Sequence, residues 1–529
     1  MRHACDREGR DVSERMRFRD LFEAREVLSE TELRFERRRR AAGLVLGPLA
    51  FVALLLLPMP DLRPEAARLA AVLAWVLIWW ITEAVPIPVT ALLGPALAVL
   101  CGVGTAGELF ASFGDPIIFL FLGSFVIAEA MFASGLDRRL AYGILARPWV
   151  GSSSSRILLA FTAVTAGLSM WLSNTATTAM IYPIGMSVLL ALSRLLEEAR
   201  GEKVDFTRLR YGTALMLVTA YASSIGGIAT PVGTPPNLIA LGQLDTLAGV
   251  KVPFFQWMLV GTPVMLVMLV VLVVYLRRAL PPEVREIAGS REHIAREQGL
   301  LGPLSRAERN VLAAFALTVT LWVVPGILAL FLGAGAPLVV AVGRLLPEGV
   351  VALLGAGLLF LLPVSWKERR FTMTWNRAAT IDWGTLLLFG GGLALGGAMF
   401  RTGLAKAVGD GLVSLTGARS EVALTFLFCF VAVVLTETTS NTAAATMVCP
   451  LAIAAAQAAG VSPVAPTIAT AFGASMAFML PVSTPPNAIV YGSGCVPITA
   501  MLRHGVLLDV ASCLVVPPMV LLLCHLLGL

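Results

Sequence analysis

The chain reads as an all-α integral membrane protein with about eleven transmembrane helices and two opposed re-entrant hairpins in an inverted repeat. Three observations lead there. Apolar runs recur along the whole sequence, the basic residues segregate to one side of those runs, and three motifs occur twice in the same order.

Of the 529 residues, 57% are hydrophobic and 14% are charged, and the mean hydropathy is +0.82. A soluble chain of this length carries roughly a quarter charged residues. A spanning helix needs about 20 apolar residues. Cores of such helices are expected at 43–58, 67–82, 89–103, 117–136, 209–225, 254–275, 311–332, 350–362, 386–400, 467–478 and 506–527. Two further apolar stretches, around 157–192 and 422–459, each contain a polar Ser-Asn-Thr triplet.

The net charge of +6 does not point to nucleic acid once its distribution is followed. With the N-terminus cytoplasmic and both triplet stretches re-entrant, 33 of the 40 Lys and Arg fall on the cytoplasmic side. This is the positive-inside bias of a multi-pass protein. Counting each triplet stretch as a full span would scatter the basic loops over both sides. The tail, 1–42, is rich in Arg and Glu and lacks the apolar core of a signal peptide. It reads as a solvated or surface helix. The seven cysteines show no C-x-x-C spacing, and the four histidines lie in the tail, the loops or the C-terminal end. A heme, zinc or histidine-based catalytic centre therefore has little to work with, and an enzyme is not expected.

The halves align with each other. "FLGSFVIAEAMFASGL" (Phe121–Leu136) matches "FGGGLALGGAMFRTGL" (Phe389–Leu404). "LSMWLSNTATTAMIYP" (Leu168–Pro183) matches "LTETTSNTAAATMVCP" (Leu435–Pro450). "PVGTPPN" (Pro231–Asn237) matches "PVSTPPN" (Pro481–Asn487). With the hairpins not crossing, one unit has five spanning helices, and an odd number inverts the second unit. The expected divisions are a cytoplasmic tail over 1–42, a first transmembrane helix over 43–65 and a first repeat over 66–282. A cytoplasmic linker over 283–307 and a second repeat over 308–529 follow. The hairpins are placed at about 156–193 and 421–459, and the broken helices at about 209–245 and 464–494. Inverted repeats with broken helices are the plan of secondary transporters, with the substrate near the midplane.

Ser-Asn-Thr offers two hydroxyls and an amide, and in hydrocarbon these need partners. One reading is that the triplets only cap helices. The functional reading puts each triplet at a hairpin tip, facing the break that "TPPN" makes in the next helix, because two prolines cannot continue the hydrogen-bond ladder. The freed carbonyls near Gly233 and Ser483 suit an alkali cation, and the helix N-termini beside them suit an anion. Neither triplet nor TPPN run contains Lys or Arg, so a co-transported cation is the simplest charge compensation for a dianion.

At these residues the chain resembles the divalent anion/sodium symporters, the family of dicarboxylate, citrate and sulfate carriers. The paired triplets, the paired TPPN runs and "WWITEAVPIPVTALLGP" (Trp79–Pro95) carry the resemblance, which covers roughly 41–529. It implies an elevator-type transporter, a homodimer, in the bacterial inner (plasma) membrane, with sodium co-transported and no organic cofactor. It also implies a first sodium site from Ser169, Ser173, Asn174 and the Gly233 carbonyl. A second would use Thr436, Thr439, Asn441 and the Ser483 carbonyl. The substrate carboxylates would meet Asn174, Thr175, Thr234, Pro235, Ser440, Asn441, Thr442, Thr484 and Pro485. Two intact triplets resemble the dicarboxylate carriers more than the sulfate carriers, which implies sodium-coupled symport of succinate, malate or fumarate.

Five acidic residues lie in or near apolar segments. Glu129 could relay protons, but Gly397 occupies its place in the other repeat, so a packing role is expected. Glu437 adjoins the second triplet and could tune a cation electrostatically. Glu83 is expected to fix a helix end, and Asp115 and Asp382 are further candidates. The alternatives are a sodium-independent exchanger, a sodium-coupled carrier of sulfate, citrate or tartrate, and a cation/proton antiporter. The antiporter would need a mid-membrane acidic pair, which the repeats do not supply.

Overall fold

A computed structural model describes residues 30–333 and 335–529, so most of the basic tail lies outside the described residues. Helix α1 (Glu30–Leu56) leads into α2 (Pro64–Thr82) and α3 (Ile87–Leu100). Gly43 and Gly47 let α1 close on α2, where the Trp79 indole donates to the Gly43 carbonyl at 3.0 Å. Glu83 ends α2 in the left-handed region, at φ 49, as expected for a helix end. Its carboxylate also pairs with Arg39 and Arg40 at 3.4 and 3.8 Å.

The repeats start alike. After α4 (Ala106–Phe110), α5 (Pro116–Ser134) is capped by Asp115, which accepts from the Ile117 amide at 2.9 Å. Later α17 (Trp383–Thr402) is capped by Asp382, which accepts from the Thr385 amide at 3.1 Å. Both helices end at a glycine with positive φ, Gly135 at 78° and Gly403 at 83°. Only glycine reaches that region without cost, and each turns the chain into a short amphipathic helix, α6 (Leu136–Leu145) or α18 (Leu404–Thr416).

The hairpins follow. The first is α7 (Ser154–Ser169) and α8 (Asn174–Arg200); the second, after α18, is α19 (Glu421–Thr436) and α20 (Asn441–Ala459). Each turns back within four residues. The broken helices come next: α9 (Arg210–Gly227) with α10 (Pro235–Ala248), and α21 (Val464–Ala474) with α22 (Pro485–Tyr491). Long helices α11 (Phe254–Ala279) and α23 (Ile498–Leu527) close the two units. Between them lie α12 (Ser290–Leu300), α13 (Arg306–Leu332), the bent pair α14 (Pro337–Leu345) and α15 (Glu348–Leu361), and α16 (Trp375–Ala378). A small antiparallel pair, β1 (Pro363–Ser365) and β2 (Arg370–Phe371), was not anticipated in an otherwise all-α chain.

Among the described residues, nine helices are long and apolar enough to cross a membrane, or up to eleven if each of two bent pairs is one span. This set differs from the expected one in detail. It includes the second hairpin arms, Asn174–Ala199 and Asn441–Ala459, because length and hydropathy do not distinguish a returning arm from a crossing one. It omits α3 and α21, which are short, and α9, whose Gly, Ser and Thr content lowers its hydropathy. Helices α9 and α21 are buried along nearly their whole length, whereas few residues of α1 and α13 are buried. The breaks therefore sit at the centre of the bundle, screened from lipid by outer helices.

The predicted core at 467–478 overran the observed helix. Helix α21 stops at Ala474, so the second break begins at Ser475, nine residues before Thr484. His504, expected outside the spans, lies buried within α23, where it meets the Tyr275 hydroxyl at 2.7 Å.

Candidate cation and anion site

Four helices begin at the repeated motifs. Asn174 and Asn441 open α8 and α20, and Pro235 and Pro485 open α10 and α22. Proline at the first helical positions removes a donor that would have no partner there. Ser173 and Ser440 are the N-caps of the hairpin arms, accepting from the Ala176 and Ala443 amides at 3.3 and 3.2 Å. Capping is therefore part of what each triplet does. The arms pack crosswise: α8 lies against α22 and α20 against α10. Each returning arm thus packs on the half-helix of the opposite repeat.

At the first tip, the Ser169 hydroxyl donates to Asn174 Oδ1 at 2.7 Å. Gly227 leaves room for this group. A Cβ there would stand 2.6 Å from Asn174 Oδ1 and 3.2 Å from the Gly233 carbonyl oxygen. Hydroxyl, amide oxygen and carbonyl are thereby gathered around one glycine. Inside the break, the Thr230 hydroxyl donates to the Met170 carbonyl. The Asn237 amide of TPPN donates to the Gly227 and Thr230 carbonyls at 2.9 and 2.7 Å.

The second tip repeats the core of this pattern. The Thr436 hydroxyl stands 2.7 Å from Asn441 Oδ1 and 2.7 Å from the Ala474 carbonyl. One hydroxyl proton serves only one of these oxygens, so the other approach is oxygen on oxygen, which a cation relieves. The Thr439 hydroxyl faces the Trp80 carbonyl at 3.5 Å. The Asn487 amide donates to the Ala477 and Leu480 carbonyls, both at 3.0 Å.

Burial divides the expected site residues in two. The side chains assigned to sodium, Ser169, Thr436 and Thr439, are buried, as are Gly233 and Ser483. The groups assigned to substrate at the tips, Asn174, Thr175, Ser440, Asn441 and Thr442, are partly or fully exposed, as are Pro235 and Pro485. Ser173, assigned to sodium, is exposed. Thr234 and Thr484 are buried N-caps, and the Thr484 hydroxyl accepts from the Asn487 amide at 3.4 Å.

Glu437 is bound into the second break. Its carboxylate accepts from the Phe478, Met479 and Leu480 amides at 2.6, 3.0 and 3.2 Å, and from the Ser483 hydroxyl at 2.8 Å. Glu129 is paired with Arg377 at 2.9 Å, with both side chains partly exposed. Sequence reasoning missed Asp509, which is buried beside Glu437. A buried acidic pair is therefore present in the second repeat. Asp509 is the one acidic residue of α23, and that was the available signal. Tyr221, whose hydroxyl donates to the Phe478 carbonyl at 2.8 Å, and Trp257, whose indole donates to the Ile228 carbonyl at 3.0 Å, carried no such signal.

The sequence profile described as "sodium:sulfate symporter transmembrane region" matches residues 38–528. The chain belongs to this family of divalent anion/sodium symporters. A Staphylococcus saprophyticus protein named sodium-dependent dicarboxylate transporter SdcS is 36% identical over 477 residues, covering 90% of this chain and 89% of that protein. A Staphylococcus aureus protein of the same name matches with the same identity and coverage. The solved structure of Neisseria gonorrhoeae MtrF, described in a study of antimetabolite efflux pumps, shares the fold, with a TM-score of 0.52 at 13% identity, over 94% of this chain and 97% of that one. Membership in the symporter family accounts for the paired tips and breaks of the inverted repeat.

Proposed function

We propose that this protein is a secondary active transporter for sodium-coupled symport of C4-dicarboxylates such as succinate, malate and fumarate. The observation that carries this reading is the pairing of two oxygen clusters, each with buried and accessible members, with four helix N-termini where neither motif supplies a basic side chain. Sodium occupies the cluster of Ser169, Ser173, Asn174 and the Gly233 carbonyl, and the cluster of Thr436, Thr439, Asn441 and the Ser483 carbonyl. The dianion lies on the accessible side, between Asn174–Thr175 and Ser440–Thr442, at the positive ends of α8, α20, α10 and α22. The two cations neutralise it, and occupation of one cluster orders the other. The names of the 36% identical relatives support both the sodium and the dicarboxylate. The transporter is a homodimer of the inner membrane with a cytoplasmic N-terminus, and the tips and broken helices move as an elevator against the outer helices.

Purified protein in liposomes tests this. An inward sodium gradient is expected to drive succinate uptake, and potassium or choline in place of sodium to abolish it. Uptake that persists without sodium but requires internal dicarboxylate would replace symport by exchange. A competition panel of succinate, citrate, tartrate and sulfate ranks the anions.

A further inference from the structure

Both hairpin tips are tied to helices outside their own hairpin, but by different chemistry. At the first tip, the Trp171 ring lies against Phe254 of α11 and edge-on to Phe315 of α13, with ring centres 6.3 and 5.4 Å apart. The matching residue of the second tip is Thr438. Its backbone carbonyl accepts from the Arg39 guanidinium of α1 at 3.3 Å. One residue on, the Thr439 hydroxyl faces the Trp80 carbonyl of α2 at 3.5 Å. Aromatic packing thus holds one tip, and a hydrogen bond from a charged side chain holds the other.

Arg39 is itself held in place. Its guanidinium stands 3.4 Å from Glu83 and 4.0 Å from Glu36. Arg40 lies 3.8 and 3.6 Å from the same two carboxylates. Two positive and two negative side chains balance one another, so Arg39 is not a free cation for a substrate carboxylate. Helix α1, which carries three of the four, is packed hard on α2. A Cβ at Gly43 would meet Thr82, and one at Gly47 would meet Trp75 and Trp79. The rings of Phe51 and Trp75 stand 5.2 Å apart. The charged cluster therefore belongs to a packed pair of outer helices, and the bond to Thr438 reaches from that pair to the second tip.

We propose that Arg39 is a positioning residue for transport, a clasp that holds the second tip against α1 and α2 in this conformation and must open in every cycle. This role rests on the proposed movement of the tips against the outer helices. Arg39 acts through the Thr438 backbone and contacts none of the groups assigned to sodium or substrate. It therefore sets how fast the tip departs, not how tightly the site binds. A contact made in one conformation and lost on the way to the next slows departure by the stabilisation it supplies. The Arg39 side chain is 21% exposed, so dissolved salt weakens the clasp.

Exchange of labelled for unlabelled succinate across proteoliposomes, with equal sodium on both sides, measures that departure. Arg39→Gln is expected to exchange about two- to five-fold faster than the wild type, the range that one partly exposed ion pair supplies. Its equilibrium affinity for succinate should stay unchanged. Choline chloride, added equally to both sides, should speed the wild type toward the variant and leave the variant as it was. An Arg39→Gln rate no faster than that of the wild type overturns the clasp. So does a weakened succinate affinity in the variant, or a wild-type rate that ignores choline chloride. Should Arg39→Gln not fold, the salt response of the wild type decides alone. A second variant tests the movement itself. In Arg39→Cys with Thr438→Cys, a short bismaleimide ties α1 to the tip and should stop exchange, relative to wild type treated alike. Arrest by the cross-link with no effect of Arg39→Gln would leave the tip moving but unclasped. Exchange that continues in the cross-linked protein would overturn the movement, and the clasp with it.

Discussion

The two helix breaks carry the same TPPN motif and the same asparagine latch, yet they are held by different physics. The first is neutral. Its strands of backbone are drawn together by the Thr230 hydroxyl on the Met170 carbonyl and by the Trp257 indole on the Ile228 carbonyl, and it depends on glycines at Gly227 and Gly233. The second is charged. It begins earlier, at Ser475, and one carboxylate, Glu437, collects three of its freed amides. Ala477 and Ser483 stand where the first break has its glycines. Duplication thus preserved the geometry at the tips while allowing the supports behind them to diverge. A break can be stabilised by close packing of small residues or by an anion that binds backbone N–H groups.

The largest effect is expected from importing the second solution into the first break. In Gly227→Ala, the new Cβ would stand 2.6 Å from Asn174 Oδ1 and 3.1 Å from the Thr234 Cβ, although the second repeat has Ala477 at this place. Misplacing a binding oxygen by about 1 Å costs on the order of 100-fold. Sodium-driven succinate uptake by Gly227→Ala should fall by at least that factor while the protein stays folded. Uptake within a few-fold of wild type would mean that the first break does not require its glycine.

Next in size is Glu437→Gln. The amide cannot accept from all four donors, and unsatisfied buried groups cost about 1–3 kcal/mol each. A marked fall in the thermal unfolding midpoint is expected in potassium buffer, where no sodium contributes. Met170→Leu, at the equivalent position, should change stability by no more than about 1.5 kcal/mol, because its one hydrogen bond is through the backbone carbonyl and Leu keeps the apolar contact of its partly buried side chain. Equal effects of the two substitutions would erase the distinction between a charged and a neutral break.

The asparagine latch is where the breaks should agree. Asn237 and Asn487 each bridge two carbonyls. Replacing either by Ala should cost about 1–3 kcal/mol of stability, and the two losses should match within experimental error by differential scanning fluorimetry. A much smaller loss for Asn487→Ala would show that Glu437 alone holds the second break.

These differences also mark what the sequence could tell. The tips and breaks were legible because prolines, hydroxyls and asparagines are conspicuous in apolar runs, and because each occurs twice. The helix-capping aspartates, Asp115 and Asp382, were visible as charges but not as caps, since a cap depends on where the helix starts. The anchoring by Glu437 was not legible. Its partners are backbone amides some forty residues away, and backbone leaves no letter in a sequence. The length of the second break was missed for the same reason: 475–480 reads as a continuation of the helix, and the Glu437 carboxylate that binds its amides, with the Asn487 amide on its carbonyls, holds it open. Asp509 fell outside every repeated motif, and looking for symmetry hides a residue that only one repeat has.

The smallest effect should come from the other charges near the second tip. Arg39 donates to the Thr438 carbonyl at 3.3 Å and pairs with Glu83 at 3.4 Å. It therefore ties α1 and the end of α2 to the residue that separates Glu437 from Thr439. Both side chains of this pair are partly exposed, at 21% and 30%. Pairs of this kind contribute about 0–1 kcal/mol, and salt screens them over roughly 10 Å at 0.1 M ionic strength. Glu83→Gln should therefore lower the unfolding midpoint slightly in dilute buffer, and the deficit should vanish in concentrated choline chloride. The Glu437→Gln deficit should survive the same salt, because its carboxylate is buried and its partners are amides rather than ions. A Glu83→Gln deficit as large and as salt-resistant as that of Glu437→Gln would place the support of the second tip at its rim, and the contrast between the two breaks would then lie in how each is tied to α1 and α2 rather than in how each is built.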